Sequence, residues 1–148
     1  MDQIDRALIA QLQRDATQSY AALGQSVGLS AGAVHERVRK LRERGAIRAT
    51  TVDVDPKVLG LGVLSYVMVD SNAWMGDSAA AFAALPEVQE AHVIAGAASV
   101  LLKVRTPTTE QLQDVLRRIY DIPGVSGTQA IVVLETFFER PVMEAVRL

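Results

Sequence analysis

Along the first fifty residues the apolar positions recur at helical spacing. Ile4, Leu8 and Leu12, with Ala7 beside them, form a stripe that predicts a helix from about Asp2 to Asp15. Ser19 is placed to cap a short helix carrying Leu23 and Val27. Gly24 is a poor helix former, and close packing against a neighbour is the reading offered for it. Gly28 ends this helix, and Ser30 caps a third that carries Val34, Val38 and Leu41 at i, i+4, i+7. Gly45 follows as its C-terminal stop, with Arg42 and Arg44 in the last turn.

After a connector punctuated by Asp55-Pro56 and Gly60, the pattern changes. Val63–Val69 reads as a strand that is apolar on both parities. Asp77 or Ser78 opens an Ala-rich helix through Phe82 and Leu85, stopped by Pro86. Val88–Ile94 and Val100–Arg105 read as strands around a turn at Gly96. Thr108 and Gln111 have capping-box spacing for a helix whose stripe is Leu112, Val115, Leu116 and Ile119. Pro123-Gly124 turns the chain into a last strand, Gln129–Leu134. The predicted fold is α+β: an N-terminal winged-type helix-turn-helix, then a ferredoxin-like βαββαβ sandwich. The domains are 1–48 for the helices, 49–60 for a linker and 61–148 for the sandwich. Both sandwich helices pack on one face of such a sheet, yet strands one and four are apolar on both sides. A second copy of the chain is the expected cover, with coverage by the chain's own N-terminal helices as the alternative.

Composition narrows the function classes. Of the 148 residues 49% are hydrophobic, which suits packed domains rather than disorder. There is no Cys, so disulfides and thiolate metal sites are excluded; a reducing cytoplasm is the expected compartment. The N-terminal residues lack the pattern of a signal peptide, and no apolar run approaches a membrane span. The net charge of −2 hides an asymmetry: +3 over residues 1–50 and −5 over 51–148. Six of the first half's eight basic residues fall between Arg37 and Arg48. Such a split predicts that the first half meets a polyanion.

Two short helices divided by a tight Gly-containing turn describe a helix-turn-helix whose second member is the recognition helix. With Val34, Val38 and Leu41 inward, the N-terminal part of the outer face falls to Ala31, Gly32, His35, Glu36 and Arg39, the candidates for base contact. Ser30 joins them as the cap. Arg37, Lys40, Arg42, Arg44 and Arg48 are the candidates for phosphate contact. Taken alone, a charged helix face is more often a solvated surface, and His35 by itself is an even choice between a role and none. The helix-turn-helix spacing and the charge split favour double-stranded DNA as the partner.

These residues carry a resemblance. Ile4-Asp5-Arg6, Leu29-Ser30, Val34, Arg37-Val38, Leu41, Gly45 and Ile47 resemble the DNA-binding domain of the Lrp/AsnC (feast/famine) regulators. Val54-Asp55-Pro56 and Leu59-Gly60 match that family's linker. Pro86-Glu87-Val88, Gly96, Leu101-Leu102-Lys103-Val104, Pro123-Gly124-Val125 and Thr128 match its ligand-sensing domain. The resemblance covers nearly the whole chain. It implies a homodimer assembling to an octamer, with an amino acid or other small molecule bound between dimers and no cofactor.

It also assigns effector contacts to Gly96, Ala97, Ala98, Ser99 and Thr128. The family's turn usually reads Gly-Asp-Tyr-Asp and its last strand is often preceded by Thr-x-Thr. Here the turn is Gly96-Ala97-Ala98-Ser99 and the other motif is Thr128-Gln129-Ala130, so two carboxylates and one hydroxyl are missing. An ammonium group seeks such acceptors, so an altered or absent amino-acid response is expected. Enzymatic readings are poor: His35 and His92 lie in different predicted domains, and no nucleophile grouping, phosphate loop or metal-ligand spacing appears. His92, Glu87 and Glu90 are expected to be structural or solvated, and Trp74 a partly buried loop residue rather than an interface anchor. The function expected is a sequence-specific DNA-binding transcription regulator modulated by a small molecule at an inter-subunit site. The alternatives are an effector-independent architectural protein that wraps DNA, and a metabolic enzyme or small-molecule carrier with an incidental helical domain.

Overall fold

The computed structural model describes residues 1–144. They form two compact units: 1–53 together with 138–144, and 54–137. The predicted boundaries differ at the tail. Residues 138–144 were expected in the second domain but pack with the first; the last four residues of the expected 61–148 span lie outside the described ones.

The first unit is built on α1 (Gln3–Arg14), α2 (Tyr20–Val27) and α3 (Ala31–Glu43). Each begins at a side-chain cap that satisfies an otherwise orphaned amide. Asp2 Oδ1 accepts from the Asp5 N–H at 2.9 Å, Ser19 Oγ from Ala22 at 3.1 Å and Ser30 Oγ from Ala33 at 3.2 Å. Leu8, Leu23, Val34 and Val38 form the buried core, with Ile4, Leu12, Tyr20, Val27, Leu29 and Ile47 around it. Gly24 has the reason expected of it. A Cβ there would lie 2.2 Å from the Leu29 carbonyl oxygen, so only glycine lets the turn approach α2 this closely. Gly28 closes α2 in the left-handed region, at φ 74°.

The tail is anchored on α1. The Gln13 side-chain amide donates to the Val142 carbonyl and accepts from the Glu144 N–H, both at 2.7 Å, and Arg6 pairs with the Glu144 carboxylate at 3.1 Å. Sequence reading did not anticipate this, because a glutamine bonding to a distant backbone leaves no periodic signal.

The second unit contains β1 (Val63–Ser71), α4 (Ala79–Ala83), β2 (Val88–Val93), β3 (Val100–Thr106), α5 (Thr109–Tyr120) and β4 (Val125–Val132). The four strands are antiparallel in the order β2-β3-β1-β4, the ferredoxin-like arrangement. The last strand starts four residues earlier than expected, directly after the turn at Pro123-Gly124, and stops at Val132. Pairing with β1 decides this: it engages Val125, Gly127 and Thr128, although Ser126 and Gly127 interrupt the apolar alternation that marks a strand. Thr108 caps α5 by accepting from the Gln111 N–H at 3.1 Å. The core lies between the helices and one sheet face: Val67, Val69, Val100, Leu102 and Val104 against Phe82, Leu112, Val115 and Ile119. On the other face Tyr66, Met68 and Leu101 are half-buried and Ile131 is 48% exposed. Glu87 was expected to be solvated; instead it is half-buried and pairs with Arg118 of α5 at 2.5 Å. Trp74 was expected to be partly buried but is 75% exposed, its ring lying over Gly76.

Candidate functional site

The outer face of α3 is set by the core beneath it. Val34, Val38 and Leu41 point inward and are fully buried, which leaves Ala31, Gly32, His35, Glu36, Arg39, Lys40, Arg42 and Arg44 exposed. Ser30 caps the helix and is also exposed. Nothing lies within 4 Å of the position a Cβ would take on Gly32, so the first turn presents open backbone. Four amides at a helix start have no partner within the helix, which favours an anion there. His35 stands edge-on to the Tyr20 ring, with ring centres 5.5 Å apart, and this contact ties its orientation to α2.

The cations along α3 fall into different environments. Arg37, half-buried, reaches back to α1 and pairs with Asp2 at 2.8 Å and Asp5 at 3.1 Å. The guanidinium holds the Asp2 carboxyl below its ordinary value. Arg44 lies 3.7 Å from the other Asp5 oxygen. Both side chains therefore tie the recognition helix to α1. Arg42 donates to the Thr50 hydroxyl at 2.9 Å, a neutral partner. The Lys40 ammonium is 3.9 Å from Glu36.

Arg39 is held on its own helix. Its Nε and Nη2 donate to the two Glu36 oxygens at 3.0 and 2.5 Å, and its Nη1 donates to Glu43. These bonds lower the Glu36 carboxyl's pKa and raise that of the guanidinium. The spacing that puts i−3 and i+4 carboxylates on one arginine is visible in the sequence, where Glu36 and Arg39 are read as separate candidates for base contact rather than as a pair.

In the second unit the turn Gly96–Ser99 closes the β2–β3 hairpin. The Ile94 N–H donates to the Ser99 carbonyl at 3.0 Å, and the Ser99 N–H donates to the Val69 carbonyl at 2.9 Å. Gly96 sits at φ 138°, where other residues are strained. Ala97 and Ala98 offer only backbone polar groups. Thr128 is the β4 partner of the same Val69, and its N–H reaches the Tyr120 hydroxyl at 3.3 Å. Ser99 and Thr128 thus flank one residue of β1, about two strand spacings (~10 Å) apart.

The sequence reading missed Asp70 at this end of the sheet. It follows Val69 on β1 and pairs with Gly127; its carboxylate lies 3.5 Å from where a Gly127 Cβ would stand. The strand register brings it there, and register is not legible from one strand alone. Among the described residues no group of three or more His, Cys, Asp or Glu is placed to hold a metal ion, and no helix is long and apolar enough to cross a membrane.

Comparison with known proteins agrees with this geometry. Residues 1–42 match the family model of the AsnC-type helix-turn-helix domain, and 63–143 match that of the Lrp/AsnC ligand binding domain. The chain is 36% identical to the HTH-type transcriptional regulator FL11 of Pyrococcus horikoshii, over 94% of this chain and 93% of the relative. It is 31% identical to the regulatory protein AsnC of Escherichia coli K12, over 99% and 96%. The solved structure of E. coli AsnC superposes with a TM-score of 0.85 at 31% identity, covering 96% of this chain and 97% of that one. The leucine response regulatory protein LrpA of Mycobacterium tuberculosis gives 0.88 at 29% identity, covering 97% and 99%. These relatives are regulators rather than enzymes. With a helix-turn-helix carrying a basic recognition helix and a four-stranded antiparallel α+β domain behind it, the chain belongs to the Lrp/AsnC family of transcriptional regulators.

Proposed function

We propose that this regulator binds specific DNA sites as a homodimer, with α3 in the major groove, and that a small molecule held by its second unit modulates that binding. The observation that carries the DNA reading is the exposed outer face of α3. Its open first turn at Ala31 and Gly32, with His35 and Arg39 following, has the shape and chemistry to meet base edges. Lys40, Arg42 and Arg48 flank it as phosphate contacts, while Arg37 and Arg44 share their charge with Asp2 and Asp5. Phosphate binding releases counterions, so each lost contact flattens the salt dependence by about one. Arg42→Ala is expected to weaken binding to all duplexes and to reduce the salt slope by about one, read by fluorescence anisotropy across a salt series. Unchanged affinity and slope would remove Arg42 from the interface.

Dimerisation through the open sheet face is supported by the apolar patch of Tyr66, Met68, Leu101 and Ile131. Assembly of dimers to an octamer follows the family resemblance. Analytical ultracentrifugation of the full chain tests both, and a monomer at micromolar concentration would overturn them. The effector site proposed is the end of the sheet around Gly96–Ser99 and Thr128. Asp70 supplies there the carboxylate that the turn lacks, so an amine-bearing ligand has an acceptor. Calorimetry with a panel of amino acids tests this, with Asp70→Asn expected to abolish the heat of any that binds. A second reading, an effector-independent protein that wraps DNA, is favoured by the absence of side-chain carboxylates in the turn itself. Long, unphased protection of DNA, insensitive to every amino acid in the panel, is its signature.

A further inference from the structure

We propose that Glu36 and Glu43 are specificity-determining residues, which act by caging Arg39 so that α3 discriminates base edges from phosphates. The inference rests on the reading of α3 as the base-contacting helix. A guanidinium has five N–H donors. Glu36 takes one on Nε and one on Nη2, and Glu43 takes one on Nη1. Two donors remain, one on each terminal nitrogen. A pair of donors on adjacent nitrogens is what guanine O6 and N7 accept in the major groove. The cage therefore leaves Arg39 with the valence for one base edge, on a side chain already fixed by its neighbours.

Charge supports the same conclusion. One cation between two carboxylates carries a net −1, and Lys40 beside Glu36 brings this four-residue cluster to zero. The caged Arg39 therefore gains little from the phosphate backbone, which attracts any unpaired cation regardless of sequence. Arg42 shows the contrast: its partner is a neutral hydroxyl, so its charge remains available to a phosphate. A single carboxylate three or four residues away is common on exposed helices and contributes little. Two on one arginine, on the face that approaches a polyanion, repel the DNA they adjoin. That repulsion falls on specific and non-specific duplexes alike, whereas the orientation it accompanies helps only a duplex with the matching base. Glu36 and Glu43 thus lower non-specific affinity more than specific affinity.

The test compares two duplexes of equal length: one that the wild-type protein enriches from a random library, and a scrambled one. Glu43→Gln is the principal variant, since position 43 lies far from the first turn; Glu36→Gln is its counterpart, and circular dichroism melting establishes that both fold. In each, affinity for the scrambled duplex is expected to rise about threefold, and its salt slope to steepen by about one, as for one added phosphate contact. Affinity for the enriched duplex rises less or falls, so the specificity ratio drops. Glu43→Asp keeps the charge but falls short of the guanidinium, so it keeps the low scrambled affinity and still lowers the ratio. An unchanged or higher ratio in both glutamine variants overturns the cage while leaving α3 as the reading helix. No preference in the wild-type protein itself overturns both.

Discussion

Replacing Gly24 with alanine sets two physical effects against each other. Helix propensity alone favours alanine by about 1 kcal/mol in the interior of a helix. The structure predicts the reverse. The new Cβ would stand 2.2 Å from the Leu29 carbonyl oxygen and 3.2 Å from its carbonyl carbon. Both are backbone atoms of the turn, so no side-chain rotation relieves the overlap. Either α2 or the turn must move by roughly an ångström, a displacement of the kind that costs about 1–3 kcal/mol in a packed core. The same movement strains the 2.9 Å bond from the Leu29 N–H to the Gly24 carbonyl, which contributes about 1 kcal/mol. Set against the propensity gain, the net expectation is a loss of about 1–3 kcal/mol, or on the order of 10 °C in the melting of a unit this small. Amide hydrogen exchange in α2 and α3, read beside a thermal melt of the full chain, localises the loss. A variant as stable as wild type, or more stable, would refute the close approach. Gly32→Ala is the internal control. With nothing within 4 Å of its Cβ, it should gain stability by about 1 kcal/mol.

The remaining predictions concern the tail and the ion pairs. Truncation after Phe137 removes both Gln13 bonds and the Arg6–Glu144 pair; amide exchange in α1 should accelerate about fivefold or more, and Gln13→Ala should give part of that change. Exchange at the wild-type rate would show that the tail does not hold α1. Arg118 holds the Glu87 carboxyl below its ordinary value of 4.5, so the pair's contribution is complete above that pH and is lost as pH falls through the lower folded-state value. Melting temperatures of wild type and Glu87→Gln should therefore differ at neutral pH and converge on acidification; a constant gap would contradict the pairing.

Much of the fold was legible because local chemistry and tertiary packing agree. Ser19, Ser30 and Thr108 cap the helices they were expected to cap, and Val34, Val38 and Leu41 are buried together. Apolar stripes and caps are local signals, and the sequence carries them whole. The start of the last strand was misplaced because Ser126 and Gly127 break the apolar alternation within Val125-Ser126-Gly127-Thr128, and pairing with β1 extends this segment despite the glycine.

The outer face of α3 followed from helix geometry alone, whereas the division of labour among its cations did not. Whether Arg37 faces a phosphate or Asp2 and Asp5 depends on how α1 crosses α3, and a one-dimensional pattern does not encode that. Asp70 was overlooked for a related reason: its place beside Gly127 is a matter of register between strands far apart in sequence.

The central claim is that α3 reads DNA sequence through Arg39 and its neighbours. Selection from a random duplex library, run in parallel with wild type and Arg39→Ala, tests it most directly. The account predicts that wild type enriches a two-fold symmetric motif whose half-sites lie whole helical turns apart, and that Arg39→Ala loses enrichment at one symmetric pair of positions. Enrichment of no motif, or of the identical motif by both proteins, would contradict it.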